Sequence, residues 1–497
     1  MHTKHTLPQK QIGLLTACAV ILLIVTQSLS LSAAALEEQI AARAASPIQS
    51  NQIPDWPDGP VVTAQAAILM EAETGAVLYA KNIHEAHYPA STTKILTALI
   101  ASEQCALDEV VTFSHDAVYG IPRGSNHIAM NEGDTLTMEQ CLNAILIRSA
   151  NEVSYAIAEH IGGTWEGFAE LMNARAKELG CVDSNFVNPN GLPDENHYTS
   201  AYDLAMIGRE FFANDMLCQI TKTPALRIMK TTGEYIDHNK MELLPGKKYA
   251  YEYLVGCKTG YTDAARSTLV SCAEKNGMKL ICVVLKDENP AHYEDTIALF
   301  NYGFSNFDKV NVSQSETKYN IDNTGFFYSG NDIFGDSSPI LALNPQSCVI
   351  LPKTAGFEDT VSSISYDTKD PGQAAIITYT FHDVYIGSAS LDFVTGQEKT
   401  YTFDMVEESQ DASQNTSGKT SFIFINIIKV FLILAAIVAA GFLILFVRAF
   451  LNKYHFSFRH RRKGKRRRLA SAPTLPDWRK RQIREAKRRS KRRRKRN

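Results

Sequence analysis

The sequence predicts an α+β domain, then a small all-β domain, then one apolar helix near the C-terminus. Three observations predict it. Within residues 62–308, short strand-like runs open and close the segment and helix-period patterns fill its middle. That order argues one antiparallel sheet whose first and last strands pair, carrying a helical subdomain. Between about Val310 and Met405 the runs alternate or are apolar and are broken by Gly, Asn, Asp and Pro, the pattern of an all-β domain over residues 309–406. Finally, Val430 to Val447 is eighteen residues without a charge, long enough to span a bilayer.

From the N-terminus, Lys4 and Lys10 precede fourteen mostly apolar residues, Ile12 to Val25, and Ser32-Ala33-Ala34-Ala35 offers a small-residue cleavage site. Residues 1–35 therefore read as a signal peptide, with an uncleaved anchor as the alternative. Residues 36–61, with Pro47, Pro54, Pro57 and Pro60, read as a linker. Ala66–Met70 and Ala76–Ala80, separated by Glu73-Thr74-Gly75, predict a hairpin. Ile95, Leu96, Leu99 and Ile100 lie at helical spacing after the loop His87-Tyr88-Pro89-Ala90, which puts Ser91 at or near a helix N-terminus.

Thr137, with Gln140 three residues on, predicts a capping box for Met138–Ile147. Further helices are expected over Glu152–His160, over Phe168–Leu179 with Gly180 as C-cap, and over Ala201–Phe212 capped by Thr199 or Ser200. Phe186–Asp194 is dense in turn formers and reads as a structured loop. A strand is expected to end at Thr259-Gly260. A hairpin follows, Ser267–Ala273 and Lys279–Leu285, turning at Asn276-Gly277, and then a helix over Tyr293–Phe304.

Charge is unevenly placed. The net charge is −2, yet Lys453 to Asn497 holds 22 basic and two acidic residues, leaving 29 of 51 basic and 51 of 53 acidic residues in the body. Residues 407–420 read as a flexible linker, 421–448 as a transmembrane helix and 449–497 as a tail that the positive-inside rule places in the cytoplasm. The expected location is thus the cell membrane, single-pass, with the body extracytoplasmic. The tail reads first as a stop-transfer signal gripping anionic lipids. Nucleic acid or an acidic partner is the second reading, weakened because Trp478 is nearly the only aromatic among the basic residues. Eight of the nine cysteines, Cys105 to Cys348, fall in the body; their spacings show no CxxC or zinc pattern, so no metal or disulfide is assigned from them.

The chemistry is read from three short pieces in order: Ser91-x-x-Lys94, Ser149-Ala150-Asn151 and Lys258-Thr259-Gly260. Side chains three apart share a helix face, so a neutral Lys94 amine would take the proton of the Ser91 hydroxyl. Backbone N–H groups at the helix start suit an oxyanion. A second serine beside an amide suits a proton relay. A lysine on a strand edge attracts a carboxylate, Thr259 hydrogen-bonds to it, and Gly260 is expected to let a substrate backbone lie close.

These pieces, with Asn188-Pro189-Asn190-Gly191-Leu192-Pro193 and Lys258-Thr259-Gly260-Tyr261-Thr262-Asp263-Ala264-Ala265, resemble the low-molecular-mass penicillin-binding proteins, serine-type D-alanyl-D-alanine carboxypeptidases. The resemblance covers about residues 62–305 and implies a β-lactamase/transpeptidase-like fold; the β-rich segment resembles the family's C-terminal domain more loosely. It further implies Ser91 as nucleophile, Lys94 as general base and Ser149 as proton shuttle. Asn151, Lys258, Thr259, Gly260 and Tyr261 would bind substrate, with the N–H groups of Ser91 and Tyr261 as the oxyanion hole and no cofactor. Peptidoglycan stem peptides and β-lactams are the implied ligands. Ala150, where members often carry Gly, and Tyr261, where many have His, depart from the pattern. Two alternatives remain: a β-lactamase, for which a Glu-x-x-x-Asn loop is missing, and a non-catalytic membrane-anchored sensor of peptidoglycan or β-lactam.

Overall fold

The computed structural model describes residues 34–230, 233–319 and 341–393. Residues 1–33 of the expected signal peptide lie outside them, as do the linker 407–420, the span 421–448 and the tail 449–497. Among the described residues, no helix is long and apolar enough to cross a membrane.

Residues 34–44 form a helix, α1, and the stretch expected to be a linker is held onto the domain. Arg43 donates to the Lys286 carbonyl at 2.7 Å and to the Glu288 carboxylate at 2.9 Å. The buried Lys81 ammonium donates to the carbonyls of Arg43 and Val62 at 2.8 and 2.7 Å. Prolines stop regular structure there but leave carbonyls free to accept. The expected hairpin is β1 (Ala66–Glu71) and β2 (Val77–Lys81). Then come α2 (Lys94–Gln104), β3 (Val110–Thr112), α3 (His115–Tyr119) and β4 (Thr135–Thr137).

Helix α4 (Met138–Asn143) carries the expected capping box: Gln140 N–H donates to Thr137 Oγ1 and Thr137 N–H to Gln140 Oε1. It runs into one π-helical turn, Ala144–Arg148, before α5 (Asn151–Gly162) and α6 (Trp165–Glu178). Ser200 rather than Thr199 caps α7 (Ala201–Ala213). The sequence reading did not include α8 (Asp215–Lys222), capped by Asn214, or the hairpin β5 (Ala225–Lys230) and β6 (Gly233–His238). Strand β7 (Leu254–Thr262) runs past the expected end at Gly260. β8 (Arg266–Lys275) and β9 (Met278–Asp287) join at Asn276-Gly277, φ 53° and 79°, the conformation of a type I′ turn.

The sheet order is β2-β1-β9-β8-β7, wholly antiparallel, and β1 pairs with β9 (Ala66↔Leu285) as the strand order implied. One face packs under the helices through Ile68, Ile95, Leu99, Ile157, Phe211 and Val283. The other packs on α9 (Ala291–Asn306) through Leu69, Leu280, Val284 and Phe300. A sheet buried on both faces explains why β1 shows no polar alternation. β10 (Phe307–Asn311) continues directly from α9 into a second antiparallel sheet containing β11 (Leu341–Leu343), β12 (Cys348–Pro352), β13 (Val361–Ser365), β14 (Gln373–Phe381) and β15 (Val384–Phe393). Its order is β10-β12-β15-β14-β13, with β11 on β15. Its apolar face joins the α9 layer: the Trp56 ring packs 5.1 Å from Phe307, tilted by 55°, and donates its indole N–H to the Leu78 carbonyl. The sheet is thereby fixed behind the first, leaving β7 an edge strand of the first sheet.

Candidate active site

The nucleophile candidate sits on a 3₁₀ turn, Ala90–Thr93, that feeds α2 at Lys94, rather than on the α-helix itself. In a 3₁₀ turn residues i and i+3 eclipse, which brings Ser91 and Lys94 together more closely than α geometry would. Lys94 is fully buried, and its Nζ lies 3.0 Å from Ser91 Oγ, 2.8 Å from Asn151 Oδ1 and 2.7 Å from the Asn190 carbonyl. Two of those partners are carbonyl oxygens and can only accept. A neutral amine has two N–H bonds and one lone pair; the carbonyls take both N–H bonds and the lone pair is left for the Ser91 hydroxyl proton. Burial holds the Lys94 pKa well below the usual amine value, and the nearby charge of Lys258 lowers it further, against an opposing pull from Glu152.

Ser149 closes the π-helical turn in the left-handed region, φ 61°, where a non-glycine residue is strained. This kink lets α5 begin at Asn151 so that Ser149 and Asn151 both reach the cleft. Lys258, in mid-strand on β7, is buried and donates to Ser149 Oγ at 3.2 Å and to the Thr259 carbonyl at 2.8 Å. A charged ammonium has three donors, so one remains for a ligand. Burial lowers the Lys258 pKa to about 8.

Gly260 serves differently from the expectation. A Cβ there would collide with Thr268 Oγ1 and lie 2.8 Å from the Ser91 nitrogen and 3.0 Å from Ala90 Cβ. The space is filled by the Ala90–Ser91 turn, so a side chain at 260 would displace that turn. Thr268 Oγ1 donates to the Pro89 carbonyl at 2.9 Å, tying the same turn to β8. The Ser91 N–H, second in its helical turn, has no intrahelical acceptor. Thr259 is half-buried, and Tyr261 is exposed at the rim with its hydroxyl donating to Asp263 at 3.2 Å. The three motifs thus form one connected set: Ser91 with Lys94, Lys94 with Asn151, Ser149 with Lys258, and Gly260 against Ser91.

The loop after α6 supplies parts that the three motifs do not contain. A Cβ on Gly191, φ 80°, would overlap the Ala90 carbonyl, itself displaced by Ala90's own φ of 50°. Thr97 donates to the Pro189 carbonyl at 2.6 Å. His197 was not singled out in the sequence. It is buried, accepts from the Val187 N–H at Nδ1 (3.1 Å), and therefore donates from Nε2 to Thr93 Oγ1 at 3.0 Å. Burial lowers its pKa to about 4, so it stays neutral and holds this loop on the nucleophile turn. Its sequence signal was only its place, four residues after Pro193.

Residues 53–289 match the family described as D-alanyl-D-alanine carboxypeptidase. D-alanyl-D-alanine carboxypeptidase DacF of Bacillus subtilis is 34% identical over 254 residues, which is 49% of this chain and 63% of that protein. DacB2 of Mycobacterium tuberculosis is 33% identical over 255 residues, 50% of this chain and 84% of that protein. For the fold, the crystal structure of penicillin binding protein 5 from Haemophilus influenzae superposes with a TM-score of 0.55 at 24% identity, covering 68% of this chain and 98% of that one. A 68% share extends beyond the matched family region.

Proposed function

Because the chain belongs to the D-alanyl-D-alanine carboxypeptidase family of serine hydrolases, we propose that it removes the terminal D-alanine from peptidoglycan stem peptides through an acyl-enzyme on Ser91 and binds penicillins at the same serine. The observation that carries this reading is the Lys94 environment, in which Nζ lies within hydrogen-bond distance of two carbonyls and of Ser91 Oγ, so that an amine in its neutral form gives both N–H bonds to the carbonyls and its lone pair to the hydroxyl proton. The peptide lies along the free edge of β7 as an added strand. Its terminal carboxylate meets Lys258 and Thr259. Lys94 takes the hydroxyl proton as Ser91 attacks the carbonyl between the two alanines, and the N–H groups of Ser91 and Tyr261 receive the oxyanion. Ser149, beside Lys258, passes a proton to the leaving amine, and Asn151 orients Lys94. Water then releases the shortened peptide. The test is D-alanine release from a synthetic pentapeptide ending in D-alanyl-D-alanine; a protein that bound penicillin yet released none would refute the reading.

The same arrangement sets a pH profile. Lys94 must be neutral, so kcat/KM falls as pH drops through its lowered pKa. Lys258 must be charged, so kcat/KM falls again as pH rises through about 8. In Lys258→Arg the alkaline limb should vanish, since a guanidinium stays charged; a limb that persists near pH 8 would show that another group sets it. Gly260→Ala is expected to push the nucleophile turn off β7 and slow acylation by ~10²–10³-fold, the range for a lost oxyanion donor. Stopped-flow acylation with a fluorescent penicillin measures it, and a rate within twofold of the parent would count against the packing argument.

The location follows from the termini. Residues 1–35 direct export, 421–448 anchor the chain, and 449–497 lie on the cytoplasmic leaflet against anionic lipid. Support comes from the uncharged run Val430–Val447 and the 22 basic residues between Lys453 and Asn497. Carbonate-resistant membrane fractionation of the full chain, with protease reaching the body only from outside, tests this.

A further inference from the structure

At the ends of α2 and α5 away from the cleft, three side chains from separate segments come together. Cys105 caps the C-terminus of α2, His160 lies in the last turn of α5, and Glu109 lies in the loop between α2 and β3. Their ligand atoms all fall within 4.8 Å of one another. His160 Nε2 is 2.7 Å from Glu109 Oε1, and the Ala106 N–H donates to Glu109 Oε2 at 3.3 Å, so the carboxylate is aimed at the other two. The thiol donates to the same carboxylate; burial and then the Glu109 charge raise its pKa to about 11.

We propose that Cys105, Glu109 and His160 form a three-ligand zinc site that clasps the ends of α2 and α5 distal to Lys94 and Asn151. Thiolate, imidazole and carboxylate are the ligand types of Zn²⁺, and one thiolate with one carboxylate neutralises the cation. A tetrahedral ion with bonds of ~2.0–2.3 Å separates its ligands by roughly 3.3–3.7 Å, so His160 and Glu109 need to part by less than ~1 Å. A water completes the fourth position. On binding, the Cys105 S–H bond breaks and its proton goes to solvent as the Zn–S bond forms. The His160–Glu109 hydrogen bond, in which Nε2–H donates to the carboxylate, opens; that proton passes through solvent to Nδ1, and the freed Nε2 lone pair ligates the metal. The sequence spacing hid the set because Cys105 and His160 lie on two helices and meet only through packing.

The experiment titrates the reduced, metal-free full chain with Zn²⁺ and, separately, with Co²⁺. One equivalent of each metal should bind, with a thiolate-to-cobalt charge-transfer band and a zinc-dependent rise in Tm. Cys105→Ser and His160→Gln should each weaken binding by at least the ~10–100-fold that even an outer-shell partner is worth. Both should lose the Tm response, and Cys105→Ser the band, whereas Cys181→Ser should keep all three. Glu109→Gln, which retains shape and hydrogen bonding, should weaken zinc without unfolding the loop. No zinc binding at micromolar metal, or binding unchanged in Cys105→Ser and His160→Gln, would overturn the site and leave the three groups as a hydrogen-bonded cluster.

Discussion

Replacing Lys94 by methionine is expected to give a folded protein that no longer acylates. The stem of methionine fills the buried channel that the lysine stem occupies, so packing is nearly conserved. What disappears is, among the described residues, the one group that touches both Ser91 Oγ and the acceptors Asn151 Oδ1 and the Asn190 carbonyl. Those two oxygens are left without a donor, at ~1–3 kcal/mol each. Part of that cost is offset because no amine has to be held in a dry site. Stability should therefore fall by a few kcal/mol at most, visible as a lower Tm with a cooperative transition. The acylation rate should fall by about 10⁴-fold or more, since a serine hydroxyl without its base is a poor nucleophile. Acylation by a fluorescent penicillin and D-alanine release should be lost together. A Lys94→Met enzyme within tenfold of the parent would place the base elsewhere.

Ser91→Ala should be silent in stability and absolute in function. Ser91 is partly exposed, and losing its hydroxyl leaves Lys94 with both carbonyl partners, so Tm should move little. D-alanine release should drop by on the order of 10⁴–10⁶-fold, as when the nucleophile of another serine hydrolase is removed. The two variants then differ in Tm, which falls in Lys94→Met and moves little in Ser91→Ala. Ser91→Ala keeps an amine in the site and should still bind a D-alanyl-D-alanine peptide through Lys258 and Thr259, measured by equilibrium binding. Turnover that survives in Ser91→Ala would exclude an acyl-enzyme on this residue.

The three motifs were legible because each depends on local geometry that the chain writes directly. Ser91-x-x-Lys94 has a spacing that puts both side chains on one face in either α or 3₁₀ geometry, so the contact was foreseeable even though the turn type was not. The capping box at Thr137 and the Asn276-Gly277 turn were legible for the same reason: their partners lie three residues or fewer away. Legibility failed where the partner is distant. The 3.0 Å contact of His197 with Thr93 spans 104 positions, and the Asn190 carbonyl reaches Lys94 across 96. Nothing local to either residue announces it.

Gly260 was read as room for substrate because a glycine in a strand signals close approach without naming what approaches; packing decided it was the Ser91 turn. The kink at Ser149 was equally hidden, since a π-helical turn with a left-handed exit is maintained by surrounding contacts rather than by the propensities of Ala144–Arg148. Residues 36–61 were misjudged for a related reason. Their prolines rule out long regular elements, but Trp56 and Arg43 anchor the segment through contacts with Leu78 and Glu288 that composition does not encode.

One measurement bears most directly on whether a neutral Lys94 arms Ser91. The full chain is treated with a penicillin, digested and mapped by mass spectrometry, with the rate of adduct formation followed against pH. A single adduct on the peptide bearing Ser91, formed ever more slowly as pH falls and essentially absent in Lys94→Met, is the predicted result. An adduct on another residue, or one that forms on Ser91 at an undiminished rate once Lys94 is gone, would contradict it.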